Sequence, residues 1–272
     1  MLRGPLGRAP QAVRTALERL SRDRVVRRRL PPELGGHTLL VSPDAAMKLW
    51  RRDLRQADPL LFRMARELVA PGATVWDIGA NVGLFAAAAA FLAGPAGRVL
   101  AVEADDWLAD LLRRSAGTLP PGQAPIEVLS AAVGGTVGVA DFLVASRGRA
   151  ASHLASVAGS TQAGGVRSAR KVMMVTLDWL LGWFPPPDVL KLDVEGAELD
   201  CLRGAARLLA RRRTTLLCEV GAGNAAAVGD LLAAAGYALY DANQPLAARQ
   251  PVALPAWNTL AIPAASGARP AG

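Results

Sequence analysis

The sequence predicts an α/β protein: a mostly parallel sheet with helices on both faces, an antiparallel last strand and an N-terminal extension. Three observations carry this. Val75-Trp76-Asp77-Ile78-Gly79-Ala80-Asn81-Val82-Gly83 is an apolar run with an acid, then a loop of small residues, and an alanine-rich run follows it; that is a buried strand, a tight loop and a helix. From residue 73 onward, strand-like and helix-like segments alternate, as a parallel sheet requires. Asp77, Glu103, Ser130, Asp193 and Glu219 sit at or near the ends of five apolar segments, the edge where open parallel sheets hold ligands.

The chain divides into a basic extension (1–33), a cap (34–72), a main domain (73–263) and a disordered tail (264–272). Residues 10–30 pattern as a basic amphipathic helix that Pro31-Pro32 stops. Leu34 to Val41 reads as a strand or hairpin, Asp44 to Leu54 as a short helix, and Pro59 to Val69 as a helix ended by Pro71-Gly72. In the main domain, strands are expected at 73–78, 98–103, 126–132, 189–193, 214–220 and 237–241. Helices are expected at 82–93, 106–116, 177–183, 198–210 and 224–235. Trp257 to Ile262 follows a Pro-rich connection rather than a helix, which predicts antiparallel pairing. Residues 134–176 break the rhythm with strands at Val139 to Val144 and Lys171 to Val175 around a Ser/Gly/Arg-rich loop; an insertion of this length predicts a substrate lid.

At 272 residues the chain can bury a substantial core. Residues 1–72 hold 15 Lys and Arg against 7 Asp and Glu, and residues 73–272 hold 16 of each. The excess positive charge therefore precedes the loop, where it reads as a solvated basic face or as a contact for an anionic surface. Cys201 and Cys218 have no CxxC spacing and read as buried thiols in a reducing compartment. The arginine-rich start carries no apolar leader, and the longest apolar run, Val82 to Gly94, is too short for the roughly 20 residues of a membrane span. The expectation is a soluble, cytoplasmic protein.

Glycine at 79 and 83 permits positive φ and removes a Cβ that would bar a ligand from the loop. The helix beginning near Val82 is expected to aim free N–H groups across it. Glu103, twenty residues past Gly83, suits the two hydroxyls of a ribose in either NAD or S-adenosyl-L-methionine. Asn81 replaces the second glycine of a dinucleotide loop, and the Asp77 carboxylate would repel a diphosphate while suiting an ammonium and a sulfonium. The loop therefore selects S-adenosyl-L-methionine. In Val189-Leu190-Lys191-Leu192-Asp193-Val194-Glu195-Gly196-Ala197-Glu198, the strand lysine needs an acid or the sheet end, and Asp193 is expected beside the cofactor. No His/Cys cluster calls for a metal.

These motifs occur in order with Thr176-Leu177-Asp178, Leu202-Arg203-Gly204-Ala205, Cys218-Glu219-Val220 and Trp257-Asn258-Thr259-Leu260. Together they resemble the FkbM family of S-adenosylmethionine-dependent methyltransferases over roughly residues 34–263. The resemblance implies a class I methyltransferase, Rossmann-like fold with a seven-stranded sheet, and O-methylation of a small-molecule, sugar or lipid-like hydroxyl. It implies that Asp77, Gly79, Ala80, Asn81 and Gly83 form the cofactor loop and that Glu103 contacts the ribose. Ser130 and Ala131 would border the adenine, with Asp193 near the methionine end. The chain departs from the family's pattern at Ala104, Gly134-Gly135 and Ser152-His153-Leu154.

Methyl transfer requires a nucleophile aligned about 3 Å from the methyl carbon and an acceptor for one proton. Glu195, just past the strand tip, is the first candidate base, and His153 in the insertion the second. His37 reads as structural. Arg147, Arg149, Arg167 and Arg170 are expected either to meet an anionic substrate or to keep the lid soluble. Asp193-Val194-Glu195-Gly196 lacks the Pro-Pro-aromatic turn of enzymes that methylate nucleic-acid amino groups, so nucleic acid is not the expected partner. A nucleic-acid or protein methyltransferase using the basic N-terminus, or a non-catalytic scaffold of this fold, stays open as the alternative.

Overall fold

The structure is a computed structural model, and it describes residues 17–18, 20–157 and 164–264. The strands β1 (Val26–Arg29) and β2 (Thr38–Val41) pair antiparallel. Two 3-10 turns, Met47–Trp50 and Leu54–Gln56, lead to α1 (Pro59–Leu68). Asp58 caps α1 by accepting from Leu61 N–H, with proline in its first turn. Then follow β3 (Thr74–Ile78), α2 (Leu84–Ala93), β4 (Arg98–Glu103), α3 (Asp106–Ala116) and β5 (Ile126–Ser130). The insertion contributes β6 (Ala132–Val133), β7 (Gly138–Ala145), β8 (His153–Leu154) and β9 (Val166–Val175). The chain continues through α4 (Leu177–Leu180), β10 (Val189–Leu192), α5 (Glu198–Arg203), α6 (Ala206–Ala210), β11 (Thr215–Glu219), α7 (Ala225–Ala234), β12 (Tyr237–Asp241) and β13 (Asn258–Pro263).

The large mixed sheet has the order β12-β13-β11-β10-β3-β4-β5. Its strands run parallel except β13, which is antiparallel to β11 and β12. From β3 the chain progresses one way through β4 and β5, and later the other way through β10 and β11. A crevice opens at the carboxyl ends where that order reverses, between β3 and β10.

Burial on both faces follows the pleat of the strands. Val75 joins the core formed with α2 and the cap, whereas Trp76 and Ile78 join the core on the opposite face. Ala86 to Ala90 are all buried in α2, whose small side chains let it lie close to β3 and α1. Leu34, Leu39, Leu49 and Leu54 enter the same core as Phe85, so the cap packs as part of this layer.

Several expected boundaries change. Val26–Arg29 is a strand rather than the end of a basic helix: Arg28 reaches the carbonyls of Leu49, Trp50 and Arg51, which a solvated helix face would not offer. Of the rest of the expected basic helix, residues 17, 18, 20 and 21 are helical and 22–25 are not; residues 10–16 and 19, and the expected disordered tail beyond 264, lie outside the described residues. The expected helix at 44–54 is two 3-10 turns. The helix at 198–210 breaks at Gly204, where a Cβ would stand 2.7 Å from the Gly134 carbonyl oxygen. Val166–Val175 is longer than expected because it pairs along β7 and joins β6 in a second sheet, ordered β6-β9-β7-β8. Both cysteines are buried. No helix among the described residues is long and apolar enough to cross a membrane.

Candidate functional site

The loop after β3 folds back onto β4. Gly79 and Ala80 N–H both donate to the Val102 carbonyl, at 2.9 and 3.0 Å, and Gly83 N–H donates to Ala80. Asn81 N–H donates to Glu103 Oε2 at 2.7 Å, and Val82 N–H to the Asn81 side chain at 2.8 Å. All five amides of Gly79–Gly83 are thus used inside the chain. The amides of the loop itself are therefore not free for a ligand, and in the first turn of α2 Ala86 N–H donates to Asp77.

Both glycines take the positive φ expected of them. Gly79 has φ 72°, and a Cβ there would lie 1.7 Å from the Asp193 carbonyl oxygen; at Gly83, φ 81°, it would lie 2.1 Å from Leu112 Cδ1. Both let the loop press against protein, on the β10 tip and on α3, and Gly79 also lines the two cavities at the carboxyl edge of the sheet. Asn81 takes φ 53° without being glycine.

Asp77 is fully buried. One carboxylate oxygen accepts from Ala86 N–H at 3.0 Å and the other lies 3.1 Å from Lys191 Nζ. Lys191, opposite Asp77 in the β3–β10 register, also lies 3.4 Å from Asp193 Oδ2 and donates to the Gly79 carbonyl at 3.2 Å. The strand lysine therefore has the acids its burial demands. Burial pushes the Asp77 carboxyl upward against Lys191. Burial opposes the Lys191 charge, yet Asp77 and Asp193 hold that ammonium above its ordinary value.

Two cavities open at the carboxyl edge. The first, about 90 Å³, has apolar walls at Val102, Leu108, Ala131 and Val133, with Glu103 and His153 in the lining. The second, about 240 Å³, is lined by Lys48 and Asp58 of the cap and by Asp77, Lys191 and Glu219. They share Gly79, Asn81, Ala150, Asp193 and Glu195, so the loop and the β10 tip form the passage between them. Glu103 Oε1 accepts from Asp105 N–H at 2.8 Å; burial raises its pKa to about 7 against the two amides it binds. Glu195 sits in the passage with φ 51°. Burial, then the nearby carboxylates of Asp193, Glu219 and Glu198, raise it to about 8. Burial and Asp193 raise Glu219 to about 7. Three carboxyl groups with pKa values lifted toward neutrality mark a place prepared for positive charge or proton transfer.

The profile of the FkbM methyltransferase domain matches residues 77–239. The chain belongs to the FkbM methyltransferase family. Hexuronic acid methyltransferase AglP of Haloferax volcanii is 26% identical over 180 residues, which cover 65% of this chain and 68% of that protein. The crystal structure of methyltransferase FkbM from Methylobacillus flagellatus aligns at 14% identity and a TM-score of 0.42, over 80% of this chain and 58% of that one. Precorrin-6y C5,15-methyltransferase of Geobacter metallireducens aligns at 12% identity and a TM-score of 0.41, over 76% and 86%.

Most of the residues singled out in this FkbM-family sequence meet at the crevice. Asp77, Gly79, Ala80, Asn81, Glu103, Ala131, His153, Asp193 and Glu195 line one or both cavities. Ser130 ends β5 outside both linings, and Gly83 is turned onto α3. His153 is buried in β8, with Nδ1 3.1 Å from the Ala151 carbonyl; that contact is a donation when Nδ1 carries the proton. His37 is buried in the cap, where desolvation lowers its pKa.

The insertion arginines are bound within the chain. The buried Arg149 guanidinium lies 2.6 Å from Asp105, 3.1 Å from Asp44 and 3.2 Å from Asp23, and 4.6 Å over the Trp107 ring. Arg167 adds ion pairs at 2.8 Å to Asp44 and 3.0 Å to Asp23, and Arg170 pairs with Asp106. Arg149 and Ala150 N–H also donate to the carbonyls of Asp44 and Ala45. This clasp pins the insertion between the cap and the residue that binds Glu103. Sequence reasoning missed it, as it did the cap residues Lys48 and Asp58, because the partners are far apart in the chain and no local pattern joins them.

Proposed function

We propose that this chain is an S-adenosyl-L-methionine-dependent O-methyltransferase acting on a hydroxyl of a small-molecule or sugar acceptor. The observation that carries the reading is the pair of joined cavities, one apolar around Glu103 and one lined with acids, meeting at Asp193 and Glu195. The residues present suit that cofactor. Glu103 uses one acceptor site on each oxygen for Asn81 and Asp105, and a carboxylate has about four such sites; two remain for a ribose diol. Val102, Leu108, Ala131 and Val133 supply an apolar wall for a purine. Lys191 neutralises much of Asp77 and Asp193, leaving Glu195 and Glu219 as acids without an ion pair among the described residues. The carboxylate forms of these two groups suit an ammonium and a sulfonium and oppose a diphosphate.

S-adenosyl-L-methionine supplies a methyl carbon activated by its sulfonium. The chain's part is to position the acceptor oxygen in line and to remove its proton. Glu195 stands in the passage between the cavities, where its carboxylate form can receive that proton and pass it to solvent. The activity of AglP toward a hexuronic acid supports a sugar-type acceptor.

Isothermal titration with S-adenosyl-L-methionine and with NAD tests the reading. Saturable binding of the first and none of the second is expected. Tight NAD binding without S-adenosyl-L-methionine binding would overturn it.

A further inference from the structure

Opposite the crevice, at the amino ends of β10 and β11, lies a face that the proposed chemistry does not use. Trp183 is 70% exposed and Trp179 38% exposed, with their ring centroids 5.7 Å apart. Exposed Pro185 and Pro186 follow. Beside them runs a second segment with Arg207, Arg211, Arg212 and Arg213 all exposed. Two connections hold these segments together. The Asp178 carboxylate accepts from Arg207 and Leu208 N–H at 2.8 and 2.9 Å, and the Thr214 hydroxyl donates to the Pro187 carbonyl at 2.7 Å.

Three acids next to these segments have partners. Asp178 caps the start of α6, Asp188 accepts from Thr74 N–H at 2.8 Å, and Asp200 pairs with Arg203 at 3.1 Å. Arg207, Arg211 and Arg213 have no ion pair among the described residues. The same face continues into an open trough of about 670 Å³, lined by Leu202, Leu209, Leu231 and Ala234 with Arg203 and Arg212.

We propose that this face docks on an anionic lipid bilayer. Tryptophan is the side chain that partitions best to the headgroup boundary, having an apolar ring and one polar N–H. Unpaired arginines beside it meet lipid phosphate at about 1 kcal/mol each. A nucleic-acid backbone would satisfy the arginines but leave the apolar trough open, whereas the acyl boundary of a bilayer covers it. The geometry also has a consequence for catalysis. The face and the crevice lie at opposite ends of β10, whose four residues span about 13 Å at the usual rise. Docking therefore turns the crevice toward water, and the acceptor reaches it from the aqueous side.

Flotation of the full chain with phosphatidylcholine vesicles, with and without about 30% phosphatidylglycerol, tests the docking. The chain should float with the anionic vesicles only. Trp183→Ala, and separately Arg211→Glu with Arg213→Glu, should each lower the bound fraction's partition constant by about tenfold or more. Thermal unfolding should be unchanged in both variants, which checks their folding and keeps this outcome independent of the proposed activity. Failure to float with anionic vesicles would overturn the proposal. So would flotation insensitive to both variants, which assigns the binding to another basic segment, or variant-sensitive binding to a DNA oligonucleotide without binding to vesicles.

Discussion

Glu195 combines a backbone conformation that non-glycine residues rarely adopt with a carboxyl held near pH 8 by burial and neighbouring acids. A base must be deprotonated to act, so kcat/KM should rise with pH and level off above about 8. A bound cation favours the carboxylate, so the same limb in kcat should lie at lower pH. Glu195→Gln should reduce turnover at saturating S-adenosyl-L-methionine by roughly 10²-fold or more, with a smaller loss of cofactor affinity because one carboxylate beside the cation is removed. Unchanged turnover would remove Glu195 from the chemistry. Gly79→Ala is a separate matter of backbone. Its Cβ would meet a carbonyl oxygen, and φ 72° disfavours any side chain, so a stability loss of at least about 1–3 kcal/mol is expected. Gly83→Ala meets only the end of the Leu112 side chain and should cost less in the same denaturation assay.

At the scale of elements, the insertion and the cap are joined by a buried cation. Arg149 binds Asp105, which in turn holds the Glu103 carboxylate through its N–H. Arg149→Met should leave the Asp105 carboxylate buried without its cation and Asp44 with Arg167 alone, at a cost of about 3–5 kcal/mol. Proteolysis near residues 146–170 should accelerate and cofactor affinity should fall. An insertion as protease-resistant as the original, with full affinity, would show that the clasp does not close the site. The unit β3–loop–α2 was legible in the sequence because an apolar run, a cluster of small residues and an alanine run follow one another within about twenty residues. The helix expected over 198–210 was not, because its break depends on how closely Gly204 approaches Gly134. Val26–Arg29 misled for a similar reason: three arginines in a row read as solvated, and only their pairing with Thr38–Val41 makes them a strand.

For the whole molecule, three carboxyl groups bind protons more tightly in the folded state than ordinary carboxylates do. Glu103 and Glu219 lie near 7 and Glu195 near 8, each above its usual value of 4.5. Between about pH 4.5 and 8 the folded chain therefore holds more protons than the unfolded chain, and stability falls as pH rises through that window. The free protein should show a lower Tm at pH 8 than at pH 5.5. S-adenosyl-L-methionine should raise Tm more at pH 8, where the carboxylates it meets are charged. A Tm that climbs steadily across the window would contradict these shifts.

Sequence alone determined the alternation of strands and helices, the antiparallel last strand, the strand–loop–helix around Gly79 and the resemblance to the FkbM family. Each is written in local spacing or in an ordered set of short motifs. Tertiary structure decided what the loop's amides bind, which glycines are needed against protein, that Arg149 and Arg167 are internal, and that cap residues Lys48 and Asp58 line the second cavity. Those facts depend on approaches between residues far apart in the chain, and a sequence pattern records the type of each partner but not the distance between them.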